Sequence, residues 1–334
     1  MKTARESKMA EPYVRSDVRA FLDFLNNVPG PRIHELGAPA ARAQMAAGRD
    51  LMDLPVGDLA TIRDFAVPGA AGDIAVRLFD SKQSREPGPA IVFFHGGGFV
   101  IGDLDSHASL CAEIARVLDL PVLAVDYRLA PENPWPAAPD DCEAAARWLA
   151  DSPEALGRRV TSLIVCGDSA GGTLAIVTAM ALRDTPAAVP VIAQFAIYPA
   201  ADLATEHPSY AQFAEGYLLT RAGMEWFNES YAADFDDVRG APLRGDLAGM
   251  PPALVLTASL DPIRDQGRAY AAALIAAGVP TVYREASGNI HGFVNLRKAV
   301  PSSSGDLLAA LAAFAPIVAE AEADRVMAQA AGTR

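Results

Sequence analysis

The chain has 334 residues and a mass of 35.1 kDa, with 51% hydrophobic and 21% charged side chains. That composition supports one large core and excludes wholesale disorder. Lys and Arg number 28 against 41 Asp and Glu, a formal charge of −13, and so acidic a surface repels nucleic-acid backbones and anionic bilayers.

Residues 1–55 carry an amphipathic helical pattern around Val18, Phe21, Leu22 and Leu25. Segments 61–67 and 74–79 read as a hairpin, joined through Pro68, Gly69 and Gly72. A fully apolar run at 90–94 ends in a glycine cluster. Helical spacing follows at 107–119, then a second apolar run at 121–127 and a helix at 140–150. The alternation continues with a strand at 163–166, a helix at 172–183, strands at 191–198 and 252–258, a helix at 266–277 closing at Gly278, and a last strand at 281–285. An Ala-rich segment from Asp306 to Ala331 reads as a C-terminal helix, interrupted or kinked at Pro316. Strands alternating with helices predict an α/β fold with a mostly parallel sheet.

Two stretches break the beat. Residues 1–55 are helical, and residues 201–248 form an insertion rich in bulky side chains, among them Phe213, Tyr217, Trp226, Phe227 and Tyr231. Both are expected to form a helical cap over the C-terminal edge of the sheet, where open α/β sheets bind ligands. The core is then expected at 56–200 and 249–334. The start of the chain, Met1 to Pro12, is polar and has no apolar leader-like region, and no run of eighteen apolar residues occurs. The expectation is a soluble, cytoplasmic protein. Cys111, Cys142 and Cys166 lie in apolar stretches without C-x-x-C spacing and read as small buried hydrophobes.

The most specific motif is Gly167-Asp168-Ser169-Ala170-Gly171, which follows a predicted strand and opens a predicted helix. A turn this tight strains the serine backbone, demands small neighbours and exposes Ser169 at the positive end of a helix. His95-Gly96-Gly97-Gly98-Phe99, directly after the strand at 90–94, leaves backbone amides bare; with the Ala170 amide they could stabilise a developing oxyanion. A dinucleotide loop fits less well, because the G-x-G-x-x-G spacing is missing. Asp261 and His291 each follow a strand. The chain order Ser, Asp, His is that of α/β-hydrolases. Asp265 is the local rival for the acid and falls in a first helical turn. No two histidines are spaced i, i+4, so no metal site is expected. His34, His107 and His207 read as ordinary histidines, His95 as a residue that shapes the glycine loop, and Arg128 and Glu132 as parts of a structural charge network.

These pieces, with Tyr127-Arg128-Leu129-Ala130-Pro131-Glu132, Asp261-Pro262-Ile263-Arg264-Asp265 and Ile290-His291-Gly292-Phe293, resemble the hormone-sensitive-lipase-like carboxylesterases of bacteria, in the branch whose elbow reads G-D-S-A-G. The resemblance implies an α/β-hydrolase fold with a helical cap. It implies Ser169 as nucleophile, His291 as base and Asp261 as its partner, with Gly97, Gly98 and Ala170 as the oxyanion hole and Gly96 beside it. Hydrolysis of a small-molecule ester by this apparatus needs no cofactor. Phe99, Tyr198, Phe213 and Tyr217 are expected to wall the substrate pocket. Asn289, two residues before the histidine where relatives often carry an apolar side chain, is expected to make it more polar. Amide or lactone hydrolysis on the same scaffold is the nearest rival. A binding module without catalysis is disfavoured by His291, and a long-chain lipase by the acidic chain. The last strand is expected at a sheet edge, where members of the family often pair as homodimers.

Overall fold

The structure is a computed structural model that describes residues 11–332. Expectations for residues 1–10, including the start of the cap segment and the polar leader, fall outside the described residues, as do the last two residues of the second core segment. Among the described residues eight strands form one sheet in the order β1-β2-β4-β3-β5-β6-β7-β8. β1 (Thr61–Gly69) and β2 (Gly72–Asp80) form the hairpin, with Gly69 paired to Gly72 across Ala70 and Ala71. β2 runs antiparallel to β4 (Val122–Asp126). From β4 onward all pairs are parallel: β3 (Gly88–Phe94), β5 (Val160–Asp168), β6 (Val191–Ile197), β7 (Ala253–Leu260) and β8 (Thr281–Ile290).

The central strands are apolar throughout because both faces are covered. Along β3, Ile91 and Phe93 pack beneath α3 (Ala108–Leu118) and α9 (Ser303–Gly332). Ala90, Val92 and Phe94 pack against the layer of α4 (Ala137–Ala150), α5 (Ala170–Asp184) and α8 (Arg264–Ala276). The period of two that sends successive residues to opposite faces accounts for the split. The three cysteines are buried and free, and burial pushes their thiols up.

Several boundaries differ from the expectation. β8 runs to Ile290, so His291 follows the strand without a linker. Pro316 does not interrupt α9: Phe314 and Val318 bury on either side of it, and Glu322 accepts hydrogen bonds from Ser162 (2.7 Å) and Thr161 (3.2 Å) at the start of β5. By length and composition alone α9 could cross a membrane. Here its inner face is committed to the sheet.

β3 leads to β4 on one side and β5 lies on the other, so the sheet order reverses between β3 and β5. The loops leaving these two strands diverge and open a crevice at their C-terminal ends. α1 (Ser16–Asn27) and α2 (Ala38–Met52) lie over this end, with α6 (Pro208–Gln212) and α7 (Arg221–Tyr231) of the insertion. α1 is seated by Val18, Phe21 and Leu22 against Phe213, Leu260 and Ile290. Arg15, just before it, donates to both carboxylate oxygens of Asp306 on α9, at 2.6 and 2.9 Å.

Candidate active site

Ser169 sits between β5 and α5 with φ 55° and ψ −120°, a conformation that costs an L-residue about 1–3 kcal/mol. The surroundings enforce it. A Cβ on Gly171 would strike the Phe94 carbonyl, so only glycine lets the helix start this close to β3. The Ser169 amide donates to the Ile197 carbonyl at 2.8 Å.

His291 Nε2 lies 2.8 Å from Ser169 Oγ, and its Nδ1 lies 2.7 Å from Asp261 Oδ2. The three groups come from the ends of β5, β8 and β7, which the parallel sheet brings to one edge. Asp261 is fully buried, and its other oxygen accepts the Ile263 amide at 2.9 Å. Asp265, the rival acid, is turned to the insertion: it accepts the Ser209 amide at 3.0 Å and pairs with Arg264. The Arg264 pairing, with the Ser209 amide, holds its carboxyl below the ordinary value against the upward push of burial.

The loop after β3 approaches from the other side of the crevice. Gly97, Gly98 and Ala170 line the same cavity as Ser169 and His291. Among the described residues the Gly97 and Gly98 amides donate to no protein acceptor, and Ala170 leads the first turn of α5, where amides lack helical partners. The Gly96 amide is not free: it donates to Asp168 Oδ1 at 2.8 Å. His107 Nε2 is 3.2 Å from that oxygen, and the hydroxyl of Tyr198 donates to Oδ2 at 3.2 Å. Burial would raise the Asp168 carboxyl, but His107 and the Gly96 amide outweigh it and hold it below the ordinary value. His95 stacks on Tyr127 at 4.3 Å; burial, with His107 nearby, lowers its pKa to about 4.

Above these groups lies a cavity of about 1150 Å³. Phe21, Leu25, Met45 and Arg49 line it from the N-terminal helices, and Leu218, Leu219, Met224 and Phe227 from the insertion. Of the expected pocket residues, Phe99 lines it. Four do not. Tyr198 lies beneath, its ring 4.6 Å from that of His291. Phe213 and Tyr217 meet edge to face at 5.1 Å and pack into the apolar cluster that seats α1, where Val18, Phe21, Leu22, Leu260 and Ile290 take their rings out of water. Asn289 is fully buried on the far side of β8, where its amide donates to Ser303 (3.1 Å) and Asp306 (3.0 Å), so it adds no polarity to the cavity.

His107, in sequence an ordinary histidine, adjoins the elbow carboxylate; the contact spans 61 positions, and no local pattern announces it. Arg128 and Glu132 do form charge pairs, with Asp141 (2.8 Å) and Arg42 (2.7 Å). Among the described residues no group of three or more His, Cys, Asp or Glu side chains is arranged to hold a metal ion.

The strand order, the strained serine and the hydrogen-bonded Ser-His-Asp series define a class, and sequence comparison agrees: residues 91–295 match the α/β-hydrolase fold family, to which the chain belongs. Within it the chain is a serine ester hydrolase of the group resembling hormone-sensitive lipase. It is 37% identical to esterase LipI of Mycobacterium tuberculosis over 85% of this chain and 89% of that protein, and 38% identical to an ethyl acetate hydrolase of Pseudomonas putida over 83% and 89%. An α/β-hydrolase from the metagenome of Lake Arreo, Spain, superposes with a TM-score of 0.86 at 37% identity, over 91% of this chain and 98% of that one.

Proposed function

We propose that the protein is a carboxylesterase that cleaves short- to medium-chain esters through a Ser169-His291-Asp261 triad and an acyl-enzyme intermediate. The observation that carries this reading is the unbroken series from Asp261 through His291 to Ser169, at 2.7 and 2.8 Å, on the floor of the cavity. Ser169 Oγ attacks the ester carbonyl while its proton passes to His291 Nε2. Asp261 fixes the ring and balances the charge of the imidazolium. The amides of Gly97, Gly98 and Ala170 hold the negative oxygen of the tetrahedral intermediate. The intermediate collapses, the ester C–O bond breaks, and His291 returns the proton to the departing alkoxide. Water then attacks the acyl-enzyme, giving its proton to His291, and the carboxylic acid leaves as Ser169 is reprotonated.

The two helical segments over the sheet edge act as the cap that bounds the substrate. An acyl chain gains about 0.8 kcal/mol per buried methylene until the cavity is full. Specificity therefore rises from acetate to butyrate or hexanoate and falls before laurate. The test is kcat/KM along nitrophenyl esters, below their micelle-forming concentrations, for the native protein and Ser169→Ala. Loss of nearly all activity in a folded Ser169→Ala protein is expected. A variant that kept a tenth of the rate, or a native profile that rose through palmitate, would overturn the reading.

A further inference from the structure

Helix α7 places two aromatic rings on consecutive residues of the loop after β3. Phe227 and Tyr231 stand four positions apart and so share one face of the helix. The Phe227 ring lies against Gly98 so closely that a Cβ there would run into it. The Tyr231 ring stacks on Phe99 with centroids 3.7 Å apart and planes 6° from parallel, and both rings are buried. Tyr231 is itself fixed, its carbonyl accepting the Trp135 amide at 2.9 Å.

The loop needs such support. Gly97, Gly98 and Phe99 have φ values of 118°, 59° and 63°. Phe99 is no glycine, and a side chain in that region persists only where its surroundings over-determine it. The rest of the loop is held otherwise: Asp168 takes the Gly96 amide, the Gly97 carbonyl takes the loop's own Val100 and Ile101 amides, the Phe99 carbonyl takes the Ala130 amide, and Arg42 of α2 donates to the Val100 carbonyl at 2.8 Å. At Gly98 and Phe99 the side chains that bear on the loop from the insertion are those of α7.

We propose that Phe227 and Tyr231 are positioning residues for turnover: the insertion that roofs the cavity also holds the Gly97 and Gly98 amides where the oxyanion forms. This rests on the reading of those amides as oxyanion donors. Neither ring takes part in bond making. Their effect is geometric, because a donor displaced by about 1 Å loses much of its worth in the transition state.

The experiment first treats the native protein with a nitrophenyl butylphosphonate, whose phosphoryl oxygen occupies an oxyanion site, and locates the label by mass spectrometry. A protein left unlabelled at Ser169 overturns the triad reading and this inference with it. With Ser169 labelled, Tyr231→Ala, Tyr231→Phe and Phe227→Leu are compared for kcat and KM on nitrophenyl butyrate and for the phosphonylation rate. Tyr231→Ala should lower kcat and phosphonylation together by roughly 10- to 100-fold, with KM within about threefold. Tyr231→Phe, which keeps the stacked ring, should restore both to within about twofold, and Phe227→Leu should lower kcat roughly fivefold or more. If thermal unfolding shows that Tyr231→Ala does not fold, Phe227→Leu decides. A folded Tyr231→Ala or Phe227→Leu protein with kcat within twofold of native, or with its loss wholly in KM, overturns the inference alone.

Discussion

The carboxylate of Asp168 accepts the amide of Gly96 at 2.8 Å, which ties the residue before the nucleophile to the first glycine of the opposite loop. The two strands that carry them, β5 and β3, are neighbours, but the chain leaves them in different directions. One buried side chain therefore bridges the two loops beneath the crevice. Asp168→Asn removes the charge from that bridge, and hydrogen bonds to charged groups contribute about 1.5–3 kcal/mol each. The variant is expected to lose about 2 kcal/mol of stability and to lower kcat more than KM, read from urea unfolding and nitrophenyl butyrate kinetics. Unchanged values of both would show that the bridge is dispensable.

The acid side of the stability profile should carry the mark of His95. Its pKa is about 4 in the folded protein against an ordinary 6.5. Below 6.5 the unfolded chain takes up a proton that the folded one refuses. Stability is therefore full above pH 6.5 and falls as pH drops toward 4, by about 3 kcal/mol in all at 1.36 kcal/mol per unit. Urea midpoints measured across this interval should decline in the native protein and decline less in His95→Gln. Equal slopes would count against the assignment.

The two aspartates after β7 should separate cleanly. Asp261→Asn is expected to cut kcat by roughly 10⁴, since the amide favours the wrong imidazole tautomer. Asp265→Asn leaves the triad untouched and loosens the hold on Ser209, so it should cost about 1–2 kcal/mol of stability with kcat within about threefold of native. The reverse pattern would move the acid role to Asp265.

Chain-length preference should respond to the side chains that line the cavity and ignore those behind it. Met224→Trp fills space beside the ester and is expected to lower kcat/KM for hexanoate relative to acetate by roughly tenfold. Phe213→Ala should instead cost about 3–5 kcal/mol, the usual loss for a buried aromatic, and leave the optimum where it is. A shift of the optimum in Phe213→Ala would place that ring in the pocket after all.

β8 is an edge strand, and Val282 and Tyr283 are exposed along it. An unpaired edge is a template for a second copy. Light scattering is expected to give about twice 35.1 kDa. The single-chain mass across a wide concentration range would dispose of the dimer.

Most of the sheet could be read in advance because its strands are buried on both faces, and a continuous apolar run bounded by glycine or proline leaves few alternatives. The elbow could be read because Gly167 and Gly171 are glycines where backbone crowds backbone. The pocket wall could not. Phe213 and Tyr217 follow a helix of five residues and Phe227 lies in α7, and nothing local in the sequence tells which of these rings faces the cavity and which seat α1. Asn289 misled for a related reason: proximity to His291 in the chain did not predict that its amide would be claimed by Ser303 and Asp306 on α9.

The pairing of Arg15 with Asp306 joins positions 291 residues apart. During synthesis at roughly 5–20 residues per second, the N-terminal helix waits about 15–60 s for its partner to leave the ribosome. Phe21 and Leu25, which line one side of the cavity, are on that helix. A nascent chain therefore carries its central strands well before Asp306 emerges, and the pairing that ties down this helix can form only after β8 has been made.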